Sequence, residues 1–456
     1  MANANQDGSL VFPGIQNCSN INKLCLHVYS SKCWKERQAM RKTFEIPLDI
    51  PDVTIQTVET DRHGDFVITV KSTVAGTSCH QCGKKITKVY GDDREITLRH
   101  FPILGRKTYL RLRPVRYQCP YCDGHPTTTQ QLSWYTPKSP YTKIYETHIL
   151  LKLVNSTVQD VGIKEEIGYE AVMGILDRHI QGEVDWNQFV RLDVLGLDEI
   201  SLKKGHRNFV TIVTGRLDDQ TVILGVLADR KKSTVKAFLS GMPRKLRKTI
   251  KAVCSDMYDG FIHAAQEVFG KRVRIVIDRF HVAKLYRKGL DRLRKQELQR
   301  LKQELSEEEY KRLQGVMWAL RKREDHLTDE DKDLLAHLFA HAPLLKTAHE
   351  LCNALTEVFE KNIRKCKAKS QLTEWIVRVR DSTLHCFNTF LTTLEKWMDE
   401  IANYFPDRQT SGFVEGLNNK IKVIKRRCYG LLNVKHLFQR IQLDLSGYAL
   451  FALKIR

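Results

Sequence analysis

Three carboxylates in this 456-residue sequence sit where a strand or helix would present them, rather than on a charged face. Asp198 closes the run VLGLD, Asp256 closes AVCSD, and Glu415 lies at the start of SGFVEGLNNKIKVIKR. Two aspartates from strand ends and one glutamate from a helix offer hard oxygen ligands with positions left open for substrate, a donor set that suits Mg²⁺. Two such ions sharing carboxylates activate a water or a 3′-hydroxyl and stabilise the leaving oxygen of an in-line phosphodiester displacement. Each residue also has an ordinary reading. A strand-end Asp is commonly a cap or turn residue, and Glu415 can pair with Asn419 or Lys422. Asp278, which ends the apolar run RIVID, is a rival for the second aspartate.

At 3.6 residues per turn, Glu415, Asn418, Asn419, Lys422 and Arg426 share one helix face, and Phe413, Leu417, Ile421 and Ile424 cover the opposite one. The apolar face is expected to bury against a sheet. The other face offers a carboxylate, two amides and cations, which suits a metal-bound phosphodiester and its neighbouring phosphates. Asn418, Asn419, Lys422 and Arg426 are therefore the expected DNA contacts.

A second constellation is made of sulfur. Cys79 and Cys82 form CHQC, Cys119 and Cys122 form CPYC, and 36 residues separate the pairs. Two thiolate pairs on tight knuckles converge on tetrahedral Zn²⁺ when a β-ribbon folds them together, so a structural zinc site with four cysteine ligands is expected. A redox role suits either pair alone but does not explain both. His80, His100 and His125 are weaker substitute ligands.

The elements that must position these groups can be read from periodicity. Residues 1–45 are mixed in character, a leader without an assignable function whose default is poor order. Residues 46–135 alternate in short runs such as FVITVKSTV and KTYLRLRPVRYQC, suggesting a small antiparallel β module around the cysteines. Residues 136–185 turn helical, and STVQDVGIKEEIGYEAVMGILDRHI reads as two helices joined near Gly168, the second over 169–180. That is helix-turn-helix spacing, and an ordinary helical hairpin fits it too. From 190 to 285, three strands in a meander precede helix-separated strands, an α/β layer arrangement. Residues 286–405 are almost wholly helical, with capping-box starts at Ser306/Glu309 and Thr328/Asp331. The stretch 406–456 returns to the α/β unit with the helix of Glu415.

The chain carries 74 Lys and Arg against 53 Asp and Glu, a formal net charge of +21. Clusters such as RKKSTVK and KIKVIKRR make a polyanion the first partner to consider, with nucleic acid ahead of membrane. The apolar runs are too short to span a bilayer, and the N-terminus lacks the pattern of a secretory signal. Twelve cysteines in such a chain are expected as reduced thiols in the cytoplasm. No G-x-x-x-x-G-K-[ST] is present, so a nucleotide cofactor is not expected.

The order of parts, CHQC…CPYC, GLDEISLKKGHRNFVTIVTG, SDMYDGFIHAAQEVFGKRVRIVIDRFHVAK and VEGLNNKIKVIKRRCYG, resembles the DDE transposases of bacterial insertion sequences, and among them the ISL3 family with its N-terminal zinc-binding motif. The resemblance covers roughly residues 46–450. It implies an RNase H-like catalytic core interrupted by an all-helical insertion, with Asp198 on the first strand, Asp256 on the fourth and Glu415 on the helix after the insertion. It implies Mg²⁺- or Mn²⁺-dependent cleavage at transposon ends and joining of the freed 3′-hydroxyls to target DNA. The zinc module and helix-turn-helix would recognise the terminal inverted repeats, in a nucleoid-associated dimer or higher oligomer. Asp278 and His281, in DRFH, match an accessory D-x-x-H element of several transposase groups. The same carboxylates would serve a nuclease or resolvase that only hydrolyses DNA. A zinc-containing DNA-binding regulator is the non-enzymatic alternative, against which the three acids at apolar positions count.

Overall fold

The computed structural model describes residues 15–17, 23–28, 42–202, 209–217, 220–409, 412–428 and 433–452, with side chains undescribed at 15–17, 23–28, 42–46 and 412–415. The chain divides into two compact units, Met1–Leu176 with Ser446–Arg456, and Asp177–Leu445.

In the first unit the described part of the leader contains three antiparallel strands, Ile15–Asn17, Lys23–Val28 and Lys42–Pro47, where poor order was expected. The following sheet has the order Val53–Thr60, Phe66–Ser72, Arg106–Leu112, Ile96–Ile103. It is mixed rather than antiparallel, because Arg106–Leu112 runs parallel to Phe66–Ser72. The reason is local: residues 73–95 cross over, and a tight turn with Leu104 and Gly105 at positive φ folds Arg106–Leu112 back along Ile96–Ile103. Ile68, Val70, Leu98, Leu110 and Leu112 form its core. A smaller sheet of Val89–Asp92, Val115–Gln118 and Thr127–Thr129 lies beside the cysteines in sequence.

Helices Lys143–Leu153, Val158–Glu165 and Tyr169–His179 follow. Thr142 and Thr157 cap the first two by accepting backbone N–H groups. The turn before Tyr169–His179 uses Glu166 in the left-handed region (φ 53°), not Gly168, as its special residue. Gly162 is required there for another reason, since a Cβ would sit 2.9 Å from the Ile167 carbonyl oxygen.

The second unit is built on a five-stranded sheet. Strands β1 (Val194–Ser201), β2 (Phe209–Leu217) and β3 (Gln220–Leu227) form an antiparallel meander. Strands β4 (Ala252–Ser255) and β5 (Arg274–Ile277) add in parallel beside β1, giving the order β3-β2-β1-β4-β5. Parallel neighbours need crossovers, and helices α1 (Lys232–Gly241) and α2 (Asp259–Phe269) lie on those connections. Being covered on both faces, β4 reads AVCS with every residue buried.

One face of the sheet shares a continuous core with the helical segment. Leu197, Val253, Phe261 and Ile277 belong to the same cluster as Leu301, Leu351, Trp375 and Phe387. That segment opens with the 26-residue helix α3 (Arg279–Glu304), and both capping boxes form in it. Gly289 lets α3 approach the turn at Cys386, whose carbonyl oxygen would be 2.6 Å from an added Cβ. The other face is covered by α4 (Gly412–Arg427) and α5 (Val434–Phe451): Ile200, Val210, Ile212 and Ile223 pack with Leu417, Ile421, Ile424, Leu437, Phe438 and Ile441. Each of these buried side chains contributes on the order of 1.5–3 kcal/mol.

Candidate metal centres

The register of β1, β4 and β5 aligns three acids. Leu197 pairs with Ser255 and Ser255 with Ile277, so Asp198, within β1, and Asp256 and Asp278, just past β4 and β5, come side by side where the parallel pairing ends. Asp198 lies on the same side of β1 as Ile200, the side that α4 covers, because strand side chains alternate. Its carboxylate accepts the Glu199 backbone N–H at 2.7 Å and the Asn418 side-chain amide. That last bond ties α4 to β1 across 220 residues of sequence.

Asp256 accepts the Tyr258 backbone N–H at 3.0 Å. Asp278 is only 3 % exposed and caps α3 by accepting the Phe280 N–H at 3.2 Å. Burial pushes the Asp256 carboxyl up to about 6, with the charges of Asp198 and Glu199 adding to it, while the Tyr258 N–H and His281 oppose. Burial also raises Asp198, reinforced by Glu199 and Asp278 and opposed by the Glu199 N–H and His281. Two half-buried carboxylates whose proton affinity is raised by burial and by neighbouring acids are a donor set a divalent cation would relieve.

Asn418 requires a correction. It is 3 % exposed and engaged with Asp198, so it is not available as a surface contact to DNA. The wheel drawn from sequence sets it among the polar positions, but a helix lying flat on the face of a sheet buries a flank beside its apolar stripe. Asn419, Lys422 and Arg426 are exposed on α4, and Leu417, Ile421 and Ile424 are buried, as the wheel requires. The backbone of Glu415 lies in α4, three positions before Asn418 and so on the same helix face, whereas its side chain lies outside the described residues.

Sequence reasoning missed one group near this site. Arg230, beyond the end of β3, pairs with Glu199 at 2.7 Å and stacks its guanidinium over the rings of Phe209 (4.7 Å) and Tyr258 (4.8 Å). The available signal was Glu199 itself, the acid after Asp198 in GLDE, which needs a cation once half-buried.

The second centre is in the first unit. The sulfurs of Cys79, Cys82, Cys119 and Cys122 all lie within 4.8 Å of one another, with Cys79–Cys122 at 3.9 Å and both Cys82–Cys119 and Cys119–Cys122 at 3.7 Å. A tetrahedron with Zn–S bonds of about 2.3 Å has sulfur–sulfur edges near ~3.8 Å, so these separations fit the ion. Each pair sits on a knuckle: Gly83 N–H donates to the Cys79 carbonyl (2.9 Å) and His125 N–H to that of Cys122 (3.1 Å). The backbone N–H groups of Cys82 and Gln81 bring the Cys79 thiol down to about 6, whereas hydrogen bonding to Cys82, burial and the other sulfurs push Cys122 up to about 12. Four crowded sulfurs cannot all ionise without a cation. The histidines are engaged elsewhere: His80 Nδ1 with Thr128 Oγ1 at 2.9 Å, His125 Nδ1 with the Cys119 carbonyl at 3.1 Å, and buried His100 with the Leu48 carbonyl at 2.9 Å. The quartet fits a structural zinc site, and among the described residues it is the one such cluster of metal-ligating side chains.

Comparison with known sequences adds the deciding observation. Residues 195–441 match the ISL3 profile described as "Transposase", and residues 75–122 match the "zinc-finger of transposase IS204/IS1001/IS1096/IS1165". The chain belongs to the ISL3 family of DDE transposases. The transposase is 28% identical over 384 residues to the transposase for insertion sequence element IS1001 of Bordetella parapertussis, covering 84% of this chain and 92% of that one. It is 23% identical over 393 residues to the transposase for insertion sequence element IS1557 of Mycobacterium tuberculosis, covering 81% and 86%. Asp198, Asp256 and Glu415 fall inside the longer matched span, and all four cysteines inside the shorter. Among the described residues, no helix is long and apolar enough to cross a membrane.

Proposed function

We propose that this transposase cleaves DNA at the terminal inverted repeats of its insertion sequence and joins the freed 3′-hydroxyls to target DNA, with Asp198, Asp256 and Glu415 as the catalytic triad. The observation that carries the reading is the contact of the Asn418 amide with Asp198, which brings the helix of Glu415 to the strand end beside Asp256. In this reading the five-stranded sheet with α4 and α5 is an RNase H-like core, and residues 286–405 are an insertion within it. Its strand order and parallel β1-β4-β5 half support that assignment.

Asp198, Asp256 and Glu415 would hold Mg²⁺ or Mn²⁺, which supplies Lewis acidity to the attacking and leaving oxygens. The chain's own residues prepare this. Burial keeps water from screening the carboxylates, and the Glu199 and Tyr258 N–H groups hold Asp198 and Asp256 in place. Water attacks the end phosphodiester, breaking its P–O bond and freeing a 3′-hydroxyl. That hydroxyl then attacks a target phosphodiester, one P–O bond forming as one breaks and the target's 3′-oxygen leaving. The electrostatic influence of His281 lowers the proton affinity of both aspartates, which suits an accessory role. Asp278 acts as the cap of α3 rather than as a metal ligand.

The zinc module (46–135) and the helices of 136–185, as a helix-turn-helix, would bind the inverted repeats, and exposed Asn419, Lys422 and Arg426 would hold phosphates near the cut. Synapsis of two ends calls for a dimer or higher oligomer. The test is purified protein with Mg²⁺, labelled end DNA and a target plasmid. Joined products are expected; nicking without joining would favour a nuclease, and binding without chemistry a regulator.

A further inference from the structure

Beyond the carboxylates, α3 borders a groove of about 640 Å³ that the cleavage mechanism does not use. It begins at Phe280, two residues past Asp278, and Phe280 is 48 % exposed although aromatic. Its lining is two-natured. Ala283, Leu290, Met317 and Leu320 give it an apolar floor, while seven Lys and Arg side chains line it against a single carboxylate, Asp291. That acid is already taken by Arg294 (2.7 Å) and Lys295 (3.2 Å). Lys322 and Arg323 pair with Asp331 and Asp325. Lys284 and Lys288 are exposed, and neither meets an acid among the described residues. On a helix rising 1.5 Å per residue they lie about 9 and 15 Å along the axis from Asp278.

An apolar slot rimmed by uncompensated cations suits a ligand with a flat apolar body and an attached anion. A nucleotide has this form, and the groove runs from the end of the sheet where DNA would be cut. Stacked duplex cannot enter such a slot, whereas one unstacked nucleotide can, with its base on the apolar floor and its phosphates at Lys284 and Lys288. We propose that the α3 groove receives a single unstacked nucleotide of the DNA next to the scissile phosphate, drawing it out of the duplex to admit the strand to the carboxylates. The inference rests on reading the carboxylate site as the DNA-cleaving centre.

The test uses full-length protein and end duplexes carrying 2-aminopurine at successive positions around the cut, with Ca²⁺ replacing Mg²⁺ to hold the complex. One position within two or three nucleotides of the cut should brighten severalfold on binding. Ala283→Phe, which fills the slot, should bind the duplex within about threefold of the parent affinity yet give no brightening. An abasic site at the responding position should restore its cleavage in Mg²⁺. Absence of brightening at every position in a saturated complex would overturn the proposal, as would equal brightening with Ala283→Phe. So would tight binding of a free mononucleotide that leaves the duplex signal unchanged. Asp256→Asn keeps the two readings apart: if it cleaves normally the catalytic assignment fails, whereas a normal loss with no brightening condemns the groove alone.

Discussion

At the scale of single residues, the most informative contact is the Asn418 amide on Asp198. Buried against Asp198, Asn418 would act in the proposed site by holding the carboxylate's direction, as a positioning residue. Asn418→Ala should leave end binding within twofold, while cleavage falls about 10- to 100-fold, the usual range for partners that orient a ligand. A loss of end binding equal to the loss of cleavage would instead return Asn418 to the DNA contacts. The cysteines are a separate case, because they carry no chemistry. Cys119→Ser removes one corner of the tetrahedron, so metal analysis should show loss of about one zinc per chain. Unchanged zinc content would refute the four-sulfur assignment.

At the scale of elements, the first unit contains a buried titrating group apart from the metal. His100 donates from Nε2 to the Leu48 carbonyl and meets Thr142 through Nδ1, and burial brings its pKa down to about 4 from 6.5. A histidine held neutral in the fold stabilises fully above its unfolded pKa, and that contribution is lost as pH falls from 6.5 to 4. The difference corresponds to about 3 kcal/mol. Urea unfolding of the parent should therefore lose stability across this window with a steeper slope than His100→Gln, and parallel profiles would contradict the assignment. The strands around the carboxylate site are legible because buried strands read as unbroken apolar runs. VLGLDEI, NFVTIVTG and TVILGVLAD mark the meander, and AVCSD and RIVID mark the parallel pair. Capping boxes at Ser306 and Thr328 are local and were equally readable. The parallel pairing of Arg106–Leu112 with Phe66–Ser72 was not, because direction of pairing depends on a crossover and leaves no mark on strand composition.

At the scale of the whole molecule, the parts that sequence reveals least are those made by distant chain segments meeting. A carboxylate at the end of an apolar run is visible, but its neighbours are not: Glu199 with Arg230, or Asn418 with Asp198, depend on register and helix seating. Periodicity assigns Asn418 to the polar face by angle alone, whereas the seating of the helix on the sheet face decides which flank is covered. The groove on α3 is likewise invisible in a helix that reads only as basic and amphipathic. What unites the second unit is a single core running from β1 to the helical segment, with a second apolar layer fastening α4 over Ile200 and Ile212. This arrangement keeps two strand ends and one helix in fixed relation while the segment between them supplies a basic surface. The most direct test of that relation is end cleavage and strand joining in Mg²⁺ by Asp198→Ala, Asp256→Ala and Glu415→Ala, each checked for fold and end binding. Loss of both steps by at least about 10³-fold in all three, with binding retained, is the predicted result; cleavage undiminished in each would contradict the account.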